Sequence, residues 1–91
     1  MLVVNYKVDK KTRAILGHIR VETRGLVYIE EVRYLHRAII KKCKEVYEKT
    51  VKDVPDMEEK DLLKLIRNDL EFFMRKKIDR EPMIIPMITE V

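Results

Sequence analysis

Residues Met83–Val91 read MIIPMITEV, and this tail decides the architecture. A run rich in isoleucine, with threonine and valine following, favours extended chain. Pro82 and Pro86 bracket Met83, Ile84 and Ile85, and a proline cannot donate to a strand ladder. The tail is therefore expected to be an edge strand, or a strand bulged at Pro86. Met83, Ile85 and Met87 fall on one side of its pleat, with Ile84 and Ile88 on the other. A strand that is apolar on both faces is either covered within its own fold or used in contact with another chain.

The rest of the chain supplies the layer on which such a strand lies. Residues Leu2–Val8 (LVVNYKV) read as a strand, and Asp9, Lys10, Lys11 and Thr12 as a polar turn. A second extended run follows, with Ile15, Gly17, Ile19 and Val21 alternating against Leu16, His18, Arg20 and Glu22. The two runs are expected to form an antiparallel hairpin. Gly25 supplies a bend or bulge after Thr23 and Arg24, and Leu26, Val27 and Tyr28 resume an extended path. From Ile29 the period changes to three and four residues: Val32, Leu35, His36, Ile39, Ile40, Cys43, Val46, Tyr47, Thr50 and Val54. This predicts one long amphipathic helix that stops at Pro55. Asp56 with Glu59 has the spacing of a capping box. The next helix carries Leu62, Leu63, Ile66, Leu70, Phe73, Met74 and Ile78 on one face. Its acids lie at the start and Arg75, Lys76 and Lys77 at the end, as the helix dipole favours. The fold class is α+β: a three-stranded sheet, made of the N-terminal hairpin and the C-terminal strand, covered by two α-helices. The order is β-β-α-α-β, and residues 1–91 form a single domain.

Composition narrows the function classes. The chain has 91 residues, 46% apolar and 40% charged, which argues against disorder and against a flexible linker. A domain of this size buries a modest core and has little room for a deep catalytic cleft. No apolar run approaches a membrane span, and the start lacks the layout of a signal peptide. One cysteine, Cys43, excludes an internal disulfide and fits a cytoplasmic setting. No membrane partner is expected.

The search for chemistry is short. His18 and His36 lack acidic partners at ligand spacing, and are read as an exposed strand histidine and a boundary helix histidine. Cys43 sits on the apolar helix face as a buried thiol. There is no phosphate loop, nucleophile elbow or Cys-x-x-Cys pair. No catalytic, cofactor-binding or metal-ligating residue is assigned. Two basic clusters remain: Lys41, Lys42 and Lys44, and Arg75, Lys76, Lys77 and Arg80. They are solvated helix surfaces or a phosphate-contacting surface, and the net charge of +4 is compatible with weak RNA contact. Tyr6 and Tyr34 are the aromatics considered for base stacking. Neither is interleaved with the lysines, so such contact would be electrostatic and non-specific. The edge carrying Met83, Ile85 and Met87 is the candidate self-association surface.

Three segments together resemble one family. Thr23–Glu31 (TRGLVYIEE) resembles the Ser/Thr-Arg-Gly-Phe-Val-Tyr segment of the C-terminal domain of ribonuclease J. Leu63-Lys64, Ile66-Arg67 and Leu70 resemble its Leu-Lys-x-x-Ile-Arg-x-x-Leu pattern. Arg80–Val91 resembles its closing Arg-x-Pro-Met-Ile-Leu-Pro-Val-Ile-x-Glu-Val. The chain departs from the pattern at Leu26, where Phe is usual, at Glu81, where Arg is common, and at Met87, where Val is common. The resemblance implies an accessory C-terminal domain with a three-stranded sheet and two helices. It also implies a homodimer and support for full activity of a metallo-β-lactamase/β-CASP ribonuclease that degrades and matures RNA. Zinc is expected in the parent's catalytic domain, whose His-x-His-x-Asp-His region does not occur here, so no catalytic residue carries over. Lys64, Arg67 and Arg80 are then ion-pair partners or anchors against that catalytic domain. Val91 is expected at or near the natural end.

Overall fold

The central strand is β1, Leu2–Val8, and its alternation is as expected: Leu2, Val4, Tyr6 and Val8 are buried, while Lys7 on the opposite face is exposed. The structure is a computed structural model that describes residues 1–25, 29–78 and 82–91, with only the backbone of residues 29, 31 and 32. β2, Arg20–Thr23, runs antiparallel to β1, with Leu2 opposite Thr23 and Asn5 opposite Arg20. β3, Ile84–Glu90, runs parallel to β1, with Leu2 opposite Ile84 and Val8 opposite Glu90. The order is β2-β1-β3, so the tail lies at an edge and Pro86 sits in a continuous ladder without a bulge.

The second extended run is shorter than its alternation predicts. Pairing starts only at Arg20, and Ile15 meets β1 through an isolated bridge to Val8. Arg13 at φ 64° and Gly17 at φ 67° break the extension, because a left-handed residue turns the chain out of a ladder. The inward phase survives regardless: Ile19 is buried, and Ile15 and Val21 pack against the core. The expected polar turn does begin at Asp9. Its Oδ1 accepts the backbone N–H groups of Lys11 and Thr12 at 2.8 and 2.9 Å. Those bonds, Thr12 first, hold the Asp9 carboxyl below its ordinary range, since they favour the ionised form.

Arg13 turns this excursion into a tie. Its guanidinium donates to the carbonyls of Pro55 and Met57 at 3.0 and 2.6 Å, and the Tyr47 hydroxyl donates to the Arg13 carbonyl at 2.6 Å. The link between β1 and β2 is thereby fastened to the link between two helices. Arg13→Ala is expected to cost about 2 kcal/mol, since the charged hydrogen bonds go and the positive φ stays. Arg13→Gly should recover roughly 1 kcal/mol of that loss by relaxing the backbone. Urea unfolding of the two variants checks the order; equal midpoints would remove the strain argument.

The helical region holds three segments: α1, Ile29–Tyr34; α2, His36–Asp53; and α3, Glu59–Ile78. The single long helix predicted from Ile29 is divided at Leu35, whose φ of −93° and ψ of 7° interrupt the winding. The Leu35 carbonyl still accepts the Ile39 N–H at 2.8 Å. α2 stops at Asp53, and Val54, at φ −133° and ψ 81°, is out of the helical region, as a residue before proline is driven to be. The capping box is not formed. A turn from Val54 to Met57 absorbs Asp56, and the Leu62 N–H bonds instead to the Glu58 carbonyl at 3.0 Å.

Three- and four-residue steps put Ile39, Cys43, Val46 and Tyr47 of α2, and Leu62, Ile66, Leu70 and Met74 of α3, into one core. That core lies on the side of the sheet that presents Leu2, Val4, Tyr6, Val8 and Ile84. α2 packs against α3 and β2, and α3 against β3. Among the described residues, no element covers the other side of the sheet.

Candidate functional site

β3 sorts its side chains between these two sides. Ile84 is 2% exposed, and Pro86 and Ile88 are half-buried toward the helices. Met83, Ile85 and Met87 point the other way, at 67%, 36% and 46% exposure. The structure thus brings the three residues of the candidate self-association surface onto one face. Register adds to the patch: Val3 lies opposite Ile85, and Asn5 opposite Met87. Across β1 the same face turns polar, with Glu22 opposite Val3 and Arg20 opposite Asn5. The uncovered face is apolar around Met83, Ile85, Met87 and Val3, turns polar at Asn5, Lys7 and Thr89, and carries both signs of charge on β2.

The backbone of β3 has its own asymmetry. The Leu2 N–H bonds to the Met83 carbonyl at 2.7 Å, and the Val91 N–H to the Val8 carbonyl at 3.0 Å. Parallel pairing repeats every two residues, so odd-numbered residues of β3 bond to β1 and even-numbered ones face the free edge. Pro86 is even-numbered. Its missing N–H therefore falls on the outer side, where it blunts strand addition in the middle of the edge. The uncovered face of this sheet is better suited to contact than its edge.

The basic clusters meet in part. Lys41 and Lys44 are exposed on α2, and Arg75, Lys76 and Lys77 on the last turn of α3. Arg80 lies outside the described residues. Lys42, Lys76 and Lys77 line one cleft of about 320 Å³ with Asp69, Phe72 and Phe73; Lys41 and Lys44 do not line it. Lys76 Nζ sits 4.7 Å from the centre of the Phe72 ring, and Lys77 Nζ 5.8 Å from that of Phe73. Phe72, 54% exposed, is the aromatic that sequence reasoning missed. Its signal was phase: it stands two residues after Leu70, on the far side of the apolar stripe. Tyr6, one of the two aromatics considered for stacking, is buried, and its hydroxyl donates to the Cys43 carbonyl at 2.8 Å. Tyr34 is 90% exposed and does not line the cleft.

The remaining candidates for chemistry are structural or solvated. Cys43 is fully buried, and burial pushes its thiol up to about 12. A thiol so disposed is not the thiolate that nucleophilic or metal chemistry requires. His18 lies in the loop before β2 rather than on a strand, and both it and His36 are exposed. Among the described residues no group of three His, Cys, Asp or Glu is placed to hold a metal ion. None of their helices is long and apolar enough to cross a membrane.

A family profile described as the ribonuclease J C-terminal domain matches residues 1–91. The chain belongs to this family. It is 31% identical over 96 residues to ribonuclease J 2 of Streptococcus pyogenes, covering 100% of this chain and 16% of that protein. It is 29% identical over 84 residues to ribonuclease J 2 of Staphylococcus aureus, covering 92% of this chain and 15% of that protein. The chain thus spans about a sixth of the length of these relatives. The resemblance carried by the tail and by α3 is correct, and the α+β order it implies is the one observed. Of the family's Thr23–Glu31 segment, Gly25 supplies the bend at φ 61°, while Leu26, Val27 and Tyr28 lie outside the described residues. In the helical pattern Ile66 and Leu70 are core. Arg67 pairs with Glu71 one turn on, at 3.9 Å, and Lys64 is exposed.

Proposed function

We propose that this chain is the non-catalytic C-terminal assembly domain of a cytoplasmic ribonuclease J-like enzyme that degrades or processes RNA. In this reading it joins two copies of the parent and supports its full activity. The uncovered apolar patch of Met83, Ile85, Met87 and Val3 carries the reading, because clustered exposed apolar residues mark contact surfaces. Its occupant is a second copy of the same face. The neighbouring Arg20 and Glu22 supply both signs of charge, which a two-fold contact can pair reciprocally. The catalytic step belongs to the parent outside this chain, whose described residues do not fit a zinc site. Zinc there would supply a Lewis acid and an activated water.

Sedimentation at several concentrations tests the reading. The chain is expected to pass from monomer to dimer as concentration rises. Ile85→Asp should weaken association at least tenfold, because a carboxylate would be desolvated in the contact. Ile85 is at the surface, so its far-ultraviolet dichroism should not change. A chain that stays monomeric throughout would overturn the reading.

A further inference from the structure

We propose that the cleft between α2 and the C-terminal half of α3 binds single-stranded nucleic acid. A base stacks on Phe72, and the phosphates are held by Lys42, Lys76 and Lys77. The fold does not explain Phe72. Its neighbour Phe73 packs against the core, whereas Phe72 stays 54% exposed even with Lys76 above its ring. An exposed ring beside cations has the two parts a single strand needs, a stacking platform and a positive track for the backbone. Residues 72 and 76 are one helical turn apart, so one nucleotide can meet both.

Charge locates the site along the helix pair. The cleft at Phe72 has three lysines against one acid, Asp69. The adjoining groove between the same helices is lined by Lys42 and Lys49 against Glu45, Asp53 and Asp69. The potential favours phosphate only at the aromatic end. A duplex has its base faces occupied by its own stacking, so it can use the lysines but not the ring. The site goes beyond salt-dependent attraction, since it adds a contact to the base. It lies on the helical side of the sheet, away from the face assigned to self-association, so the two readings fail independently.

Fluorescence anisotropy with a labelled mixed-sequence single-stranded RNA, at about 50 mM salt, tests the proposal on the 91-residue chain. Phe72→Ala is expected to weaken binding about tenfold or more, and Phe72→Trp to retain it. Lys76→Ala combined with Lys77→Ala should flatten the logarithmic salt slope by about 1.4, the share of two phosphate contacts to a single strand. A duplex of the same sequence should bind more weakly and be indifferent to Phe72→Ala. Phe72 is exposed, so these variants should keep the wild-type dichroism. Binding by Phe72→Ala equal to wild type would overturn the proposal. So would no binding at low salt.

Discussion

Tyr6→Ala is expected to lower the unfolding free energy by about 4 kcal/mol, the largest loss from any single replacement in this core. Tyr6 stands mid-way along the central strand and is fully buried. Its ring stacks on Tyr47 at 5.1 Å between centroids and 27° between planes. Its hydroxyl donates to the Cys43 carbonyl at 2.8 Å, so one side chain links β1 to α2 through both packing and a hydrogen bond. Alanine would leave a cavity where strand and helix now meet. Domains of this size are stable by only about 5–15 kcal/mol, so the variant should be partly unfolded at growth temperature. Tyr6→Phe keeps the ring and loses the bond, and should cost about 1 kcal/mol. Urea unfolding followed by circular dichroism separates the two. A Tyr6→Ala loss below about 1 kcal/mol would show that the core collapses around the gap.

The elements were legible where side-chain pattern and backbone agree. Leu2, Val4, Tyr6 and Val8 alternate and are all buried; Ile66, Leu70 and Met74 step by helix turns and are all buried. The pattern failed where side chains report phase but the backbone departs from it. Ile15, Ile19 and Val21 do face the core, yet the chain from Leu16 to Ile19 is not a strand. Gly17 and Arg13 take positive φ, and arginine announces no such conformation. The break at Leu35 and the turn that absorbs Asp56 are of the same kind. Each is decided by backbone geometry between elements, which apolar spacing does not encode.

The candidate surfaces divide along a similar line. Met83, Ile85 and Met87 were legible as one face of a strand because a pleat has period two. That they face away from both helices depends on which strand β3 joins, and pairing is a long-range choice. The reason Pro86 is tolerated follows only from the parallel register with β1. Phe72 was harder. It lies beside Phe73, and a pair of phenylalanines reads as core, although a helix turns consecutive residues about 100° apart. The convergence of Lys42 with Lys76 and Lys77 depends on how α2 lies against α3, which neither helix specifies alone.

Alkaline pH is expected to unfold the domain cooperatively, through protons that the core refuses to release. Burial raises the Cys43 thiol from its ordinary 9.0 to about 12. Burial likewise raises the Tyr6 and Tyr47 hydroxyls above their ordinary 10.0. The unfolded chain releases each proton near the ordinary value, while the native chain keeps it. The native state therefore binds more protons, above pH 9 at Cys43 and above pH 10 at Tyr6, and stability falls by about 1.4 kcal/mol per pH unit for each of these two groups. The contribution is fully present below pH 9 and is lost as pH rises toward 12. Cys43 alone accounts for up to about 4 kcal/mol across that interval, and Tyr6 steepens the fall above pH 10. Tyrosinate absorbance from the buried rings should rise together with the loss of helical dichroism. Tyr6→Phe should make the slope shallower above pH 10 by about 1.4 kcal/mol per unit. The slope counts protons whatever the variant's basal stability, so it isolates ionisation from packing. Stability that stays level between pH 9 and 12 would mean that these groups are reached by water in the native state, contrary to the burial of Cys43 and Tyr6.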